Sequence, residues 1–274
     1  MTFDKTLSPS QRDARLNAYL RVTAPQGRIA VRTGPFLATF DPKRDNPYRN
    51  YAVPDDGAAP TPAEIEAFAE VCRAHGRKPR LEYAPEAAPA LEAALVAAGF
   101  EPEFRPPFLT GAPARVREIG APPGFRVGPA ETMAELEQCA AVLNDAYAEH
   151  GFDSDGDAGE TMKMIEAGGA CFMAWDTATG QAAGCGMFTP PADSVTEVAG
   201  IGVARAWRRR GLATALTSAL TREAFARGVT LAFLTPGGDE AQRAYERAGF
   251  EVGGAMLMIS RPSPLAGEGA TRRP

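Results

Sequence analysis

No apolar run in this sequence is long enough to cross a bilayer, and residues 1–11 carry none of the apolar core of a secretory signal. Nor is there a basic excess. The net charge is -5, which argues against a protein that holds nucleic acid by bulk electrostatics, and the longest basic run, Arg208-Arg209-Arg210, is short and isolated. Cysteine is sparse: Cys72, Cys139, Cys171 and Cys185 lie far apart with no C-x-x-C pair, so a disulfide framework is not expected. These absences together point to a soluble, cytoplasmic protein in a reducing compartment. With only His75 and His150 in the chain, Cys185 has no evident base and reads as a small buried residue rather than a nucleophile.

What is present is ample apolar material, 45% of residues, spread over 274 positions, enough for two domains of ordinary size. Helical spacing predicts helices over Pro9–Thr23, after Pro62 (with Ile65, Phe68, Ala69 and Cys72 on one face) and over 87–98, where Gly99 stops the turn. Strands are expected at 28–41, interrupted at Gly34-Pro35, at 50–53, at 80–83, and at 101–109 as one proline-broken strand. Residues 111–124, rich in Pro, Gly and Ala, mark the domain boundary, giving domains 1–115 and 116–262 and a disordered tail at 263–274.

In the second half, 131–148 is an amphipathic helix with Met133, Leu136, Ala140, Leu143 and Tyr147 on one stripe, followed by a short helix at 159–167. Strands at 170–176 and 181–189 form a hairpin about Thr177–Gly180, and 196–203 is a third strand. Next come a helix at 211–227, a strand at 230–234, a helix at 240–248 ended by Gly249, and a last strand at 254–259.

The two halves repeat. Leu81 and Leu231, Ala94 and Ala244, Ala98 and Ala248, and Gly99-Phe100-Glu101 and Gly249-Phe250-Glu251 all match at one offset (249 − 99 = 150), within the same order of helix, strand, helix and strand. A duplicated α+β unit follows.

The chemistry is concentrated between Glu197 and Thr214. A strand ends at Val203, a short loop carries Arg208, Arg209 and Arg210, and a helix opens at Gly211. A helix N-terminus offers unpaired N–H groups and the positive end of a dipole, so it suits an anion. Gly211 and the small Ala213 let a phosphate approach the backbone, and the arginines add fork-shaped donors. The same residues also read as a basic surface turn ahead of an ordinary amphipathic helix.

Arg208-x-x-Gly211-x-Ala213 resembles the [QR]-x-x-G-x-[GA] signature of the GNAT superfamily of acyl-CoA-dependent N-acyltransferases. The valine-ended strand before it and Ala244-Tyr245-Glu246-Arg247-Ala248-Gly249-Phe250, similar to the family's closing Y-x-[KR]-x-G-F segment, extend the resemblance over residues 125–261. It implies two mixed-sheet domains in tandem with helices on both faces, the strands 196–203 and 230–234 splayed apart in the C-terminal one. Acetyl-CoA, as co-substrate, would lie in that gap, its pantetheine arm against Ile201, Gly202 and Val203 and its diphosphate on Arg208, Arg209, Arg210, Gly211, Leu212, Ala213 and Thr214. The resemblance further implies a backbone N–H near Val203 polarising the thioester carbonyl, Glu197 as general base and Tyr245 as the acid that protonates the departing thiolate. No metal and no covalent enzyme intermediate is implied. By themselves, Glu197 also reads as a solvated residue at a strand start and Tyr245 as a core aromatic.

The asparagine that often precedes the family's closing helix is missing, replaced by Thr235-Pro236-Gly237-Gly238-Asp239. In the N-terminal copy the loop position holds Pro54-Asp-Asp-Gly-Ala-Ala-Pro60, and Tyr245 corresponds to Leu95, so that half resembles the degenerate member of a tandem GNAT protein. The acidic stretch 149–160 is not a calcium loop, since Ala158 and Met164 stand where glycine and glutamate would be needed. The stretch reads by default as a solvated loop, with attraction of a cationic amine by Asp153, Asp155 and Asp157 as the hypothesis beside it.

The expected partner is a small-molecule or peptide amine acceptor, with no nucleic acid and no membrane, in a monomer or homodimer. A non-catalytic acyl-CoA-binding or sensing module is the alternative reading, separated by Glu197 and Tyr245. A tandem GNAT-fold ligase fed by aminoacyl-tRNA is a third, opposed by the lack of broad basic surface.

Overall fold

The computed structural model of the protein describes residues 7–148 and 157–262. They form two compact units, one of Pro107–Gly253 and one of residues 7–106 with 254–262.

The first elements of the chain are α1 (Pro9–Thr23), the hairpin β1 (Ile29–Thr33) and β2 (Phe36–Phe40), β3 (Tyr51–Pro54), α2 (Pro62–Ala74), β4 (Arg80–Tyr83), α3 (Leu91–Ala97) and β5 (Glu101–Phe104). Both α1 and α2 begin with a proline after a capping box, Ser8 with Gln11 and Thr61 with Glu64, which satisfies the first amides of each helix. As expected, Ile65, Phe68, Ala69 and Cys72 form the buried face of α2. Residues 87–98 are not one helix. Pro85 opens a single 3-10 turn and α3 starts only after Pro89, whose ring excludes a helical residue four positions earlier.

The chain continues with β6 (Pro107–Gly111), β7 (Phe125–Pro129), α4 (Met133–Tyr147), α5 (Ala158–Glu166), β8 (Ala170–Asp176), β9 (Ala182–Phe188), β10 (Val195–Val203), α6 (Leu212–Ala226), β11 (Leu231–Leu234), α7 (Asp239–Ala248), β12 (Glu251–Ala255) and β13 (Leu257–Ser260). In the Pro107–Gly253 unit the sheet order is β12-β6-β11-β10-β9-β8-β7. One face buries Leu212, Leu216 and Leu220 from α6, Tyr245 from α7, and Phe250 just ahead of β12. The other face buries Leu136, Cys139, Val142 and Leu143 of α4 against Met173 and Cys185. Met133 falls off the predicted stripe and is exposed.

The other sheet has the order β1-β2-β3-β4-β13-β5. Its core is Phe36, Phe68, Leu81, Leu95, Phe100 and Ile259, all at most 2% exposed. The repeat inferred from sequence holds in detail, with one rearrangement. β4 and β11, and β5 and β12, are counterparts, and so are β6 and β13 (257 − 107 = 150). Each of the last two sits between the counterpart pair of the opposite half, β6 between β11 and β12, and β13 between β4 and β5. The duplicated units have exchanged their final strands. Residues 101–109 are therefore two strands of different sheets, parted where Pro106 and Pro107 withdraw two ladder donors in succession. Likewise 254–259 is the end of one strand and most of another.

Candidate functional site

β10 and β11 run parallel and pair only from Val195 to Glu197, against Leu231 to Phe233. Beyond Glu197 the two strands part, which is the splay the resemblance implied. On its other edge β10 stays joined to β9, but the register jumps from Ala199↔Met187 to Gly202↔Cys185, so one extra residue sits on β10 as a bulge. Gly200 supplies the left-handed turn there, at φ +59°. Val203 therefore ends a strand whose last turn of backbone is paired on one side only.

A single 3-10 turn at Arg205–Trp207 then leads to α6. Arg209 (φ +63°) and Gly211 (φ +86°) both take the left-handed conformation, and Gly211 caps α6 without any side-chain acceptor for the first amides. In α1, α2 and α4 those amides are capped by side chains. The loop brings Gly211, Leu212, Ala213 and Thr214 to one helix start. Leu212 packs into the core, and the Thr214 hydroxyl donates to the Ala244 carbonyl at 3.2 Å.

The three arginines do not act as one group. Arg208 turns back from the helix: its Nε donates to the Val203 carbonyl (3.4 Å) and Nη2 to the Ala146 carbonyl at the end of α4 (3.0 Å). Arg210 lies over the Trp207 ring at 5.0 Å and the Phe125 ring at 5.9 Å. Only Arg209 has no partner among the described residues. At the helix start the structure places the positive end of the helix dipole and Arg209, with Arg208 and Arg210 turned to other partners.

Glu197 is the last residue of β10 paired with β11, half-buried at the point of divergence. The Thr189 hydroxyl bonds both its backbone groups, accepting from the Glu197 amide (3.3 Å) and donating to its carbonyl (3.2 Å). Tyr245, on α7, is 7% exposed, and its hydroxyl bonds no described residue. Burial pushes its phenol well above the ordinary range, so the proton is in place at neutral pH. The charge of Tyr147 adds to that shift, so the two phenols share one poorly solvated space.

In the sequence Tyr147 is one member of the α4 stripe. The structure puts its hydroxyl on the Ile201 carbonyl at 3.2 Å, and burial with Cys185 nearby raises its pKa to about 12. The signal available in sequence was a hydroxyl on an otherwise apolar stripe, since a buried tyrosine hydroxyl seeks a partner. Cys185 is fully buried and its thiol donates to the Cys139 carbonyl at 3.4 Å. Gly237 and Gly238, ahead of α7, have open space where a side chain would project. In the acidic stretch, Asp157 caps α5 through the Gly159 and Glu160 amides, while Asp153 and Asp155 lie outside the described residues. A cleft lined by Arg126, Glu135 and Trp175 is separated from the β10–β11 fork by β9, and its guanidinium already stacks on the indole at 3.7 Å.

Residues 133–250 match the acetyltransferase (GNAT) family. The chain is similar to a GCN5-related N-acetyltransferase from Kribbella flavida, at 29% identity and a TM-score of 0.79, over 93% of this chain and 97% of that one. The matched segment lies within the Pro107–Gly253 unit, which holds the β10–β11 fork. A tandem GNAT protein from the clavulanic acid biosynthesis pathway has the same fold at 17% identity, with a TM-score of 0.58 over 82% of this chain and 77% of that one. A GCN5-related N-acetyltransferase from Sphaerobacter thermophilus does too, also at 17% identity, with a TM-score of 0.54 over 69% and 64%. No curated protein matches the sequence.

The two units differ at their counterpart positions. In the N-terminal unit, α2 corresponds to α6, but its N-terminus is occupied by its own chain: the Glu64 carboxylate accepts from the Thr61 amide and hydroxyl, both at 2.8 Å. Asp55 and Asp56 in the preceding loop pair with Arg32 and Arg21. Leu95, at the counterpart of Tyr245, is fully buried. Among the described residues no helix is long and apolar enough to cross a membrane, and no cluster of His, Cys, Asp and Glu has the makings of a metal site.

Proposed function

We propose that this protein moves an acetyl or other short acyl group from acyl-CoA to a primary amine of a small molecule or peptide, by direct attack within a ternary complex. The observation that carries the reading is the fork. β10 loses its β11 partner at Glu197, presents a one-sided backbone edge through Val203, and runs into a helix whose first amides have no side-chain cap. An extended thioester arm fits the edge and a diphosphate fits the amides.

In this reading Glu197 takes the proton of the attacking amine, directly or through water. The amine nitrogen bonds the thioester carbon, the carbonyl electrons collect on an oxygen facing a β10 amide, and the C–S bond breaks as that oxygen's double bond reforms. Tyr245, which keeps its proton at neutral pH, gives it to the departing thiolate. The low exposure of Tyr245 supports a water-poor site, where such donors are worth most.

A screen of acetyl-CoA consumption across amine libraries, paired with titration calorimetry of coenzyme A and acetyl-CoA, tests the proposal. Heat with acetyl-CoA and release of free thiol with at least one amine class are expected. Folded protein that gives no heat with either compound removes the reading.

A further inference from the structure

The cleft at the β7 edge of the Pro107–Gly253 sheet is lined by charges that do not meet. β7 is the edge strand, and its register with β8 sets Arg126 directly opposite Trp175. Trp175 is buried, and the Arg126 guanidinium lies over its ring, 3.7 Å from the centre. At that distance the contact is made through the flat face of the guanidinium, because an N–H aimed at the ring would hold its carbon farther off. The N–H donors lie in the plane of the group, so the stack leaves them open. No described residue accepts from them.

Two carboxylates line the same cleft, whose volume is about 400 Å³. Each is held by one oxygen. Glu135 Oε2 accepts from the Glu131 amide (3.0 Å), the Thr132 amide (3.0 Å) and the Thr132 hydroxyl (2.9 Å), as part of the cap on α4. Asp176 Oδ1 accepts from the Thr179 hydroxyl (2.8 Å), the Thr179 amide (2.8 Å) and the Ala178 amide (3.1 Å), in the turn between β8 and β9. Chiefly the Thr132 amide and the Thr179 hydroxyl hold the two carboxyls below the ordinary range, so both are charged at neutral pH. The second oxygen of each, Glu135 Oε1 and Asp176 Oδ2, bonds no described residue. One cation and two anions thus share a space, and no ion pair closes between Arg126 and either carboxylate.

A guanidinium pinned to an indole and carboxylates pinned to amides cannot come together without giving up those contacts. Their charges remain available to a molecule that brings the opposite sign to each. We propose that this cleft binds a free α-amino acid, its carboxylate on the open N–H edge of Arg126 and its ammonium on the open oxygens of Glu135 and Asp176. A simple anion would meet the two carboxylates and a simple cation the guanidinium, so a zwitterion is the charge pattern that suits the lining. The cleft is of a size usual for small-molecule sites. It lies at the β7–β8 edge with β9 between it and the β10–β11 fork, so the inference does not depend on the acyl-CoA reading.

Titration calorimetry of the unaltered protein with the soluble standard L-amino acids, at up to about 10 mM, should find at least one that binds. For that amino acid, the N-acetyl derivative lacks the ammonium and the amide derivative lacks the carboxylate. Each should bind at least about tenfold more weakly, the worth of one charge-assisted hydrogen bond. Arg126→Gln, which loses the charge, should weaken the parent amino acid by a similar factor. If that variant melts without a cooperative transition, Arg126→Lys, which keeps the charge and loses the planar fork, takes its place and should cost at least about threefold. No binding by any of the amino acids, equal binding of either derivative, or binding that survives the substitution overturns the inference. Binding that survives would place the amino acid elsewhere, the fork included. No arm of the test uses coenzyme A, so failure here leaves the acyl-CoA reading standing, and an absence of heat with acetyl-CoA leaves this site standing.

Discussion

A C-terminal piece beginning after Gly111 lacks a strand of its own sheet, and that loss can be sized. β6 brings Phe108 and Leu109, both fully buried in the Pro107–Gly253 unit, and pairs with β11 at Gly111, Thr110 and Leu109. At ~25 cal/mol per Å² of apolar surface, each of the two side chains contributes about 2–3 kcal/mol. Stripping the ladder from one edge of β11, whose four residues are all buried, adds about 1 kcal/mol for each bond left unmade. The total is roughly 6–8 kcal/mol, against a typical whole-domain stability of about 5–15 kcal/mol. Two fragments separate this effect from every other consequence of truncation: 105–262, which keeps β6, and 116–262, which does not. Urea titration followed by the fluorescence of Trp175 and Trp207 should show a cooperative transition for the longer fragment and little or none for the shorter. Equal midpoints for the two fragments would falsify the claim that the exchanged strand is integral to the sheet holding the β10–β11 fork.

Glu197→Gln and Tyr245→Phe should each lower kcat by about 10²–10⁴-fold with coenzyme A affinity nearly unchanged, the pattern of lost acid–base chemistry. A parallel fall in affinity would assign them to binding instead. Asp13 is fully buried, and burial raises its pKa from 3.8 to about 6, so the folded state holds the proton more tightly than the unfolded one. Stability should therefore fall as pH rises through roughly 4 to 6, by about 3 kcal/mol in all. Asp13→Asn should flatten that slope in urea titrations at stepped pH, and an identical slope would refute the assignment. Gly249 sits at φ +102°, and a Cβ there would meet the Arg115 carbonyl oxygen at 2.3 Å. Gly249→Ala should cost at least about 2 kcal/mol by thermal denaturation, and a change under 0.5 kcal/mol would show the turn can shift freely.

Much of the architecture was legible in the sequence because it is written in local terms. Pro9–Thr23, Arg80–Tyr83 and Ala170–Asp176 have the bounds that apolar spacing and turn residues gave them. Gly99 and Gly249 both take the positive φ expected of helix-ending glycines. β7 escaped notice because Phe125–Pro129 is short, carries Gly and Pro, and is nowhere fully buried, so it has no alternation to detect. The strand exchange escaped for a deeper reason. β6 and β13 have the same local character wherever they pair, and only packing decides which sheet receives each. The direction of side chains was likewise invisible. Three consecutive arginines look equivalent in sequence, yet a left-handed Arg209 sends Arg208 and Arg210 to unrelated partners.

The self-made cap on α2 bears on whether the silent half could be brought back. Thr61 and Glu64 fill with their own oxygens the seat that an outside anion would need, and such a cap is worth about 1 kcal/mol. A variant that opened this helix start to an outside anion would give up the stability of the cap before gaining any from the ligand. Four residues at the head of one helix thus set a threshold that any restored anion site there has to exceed.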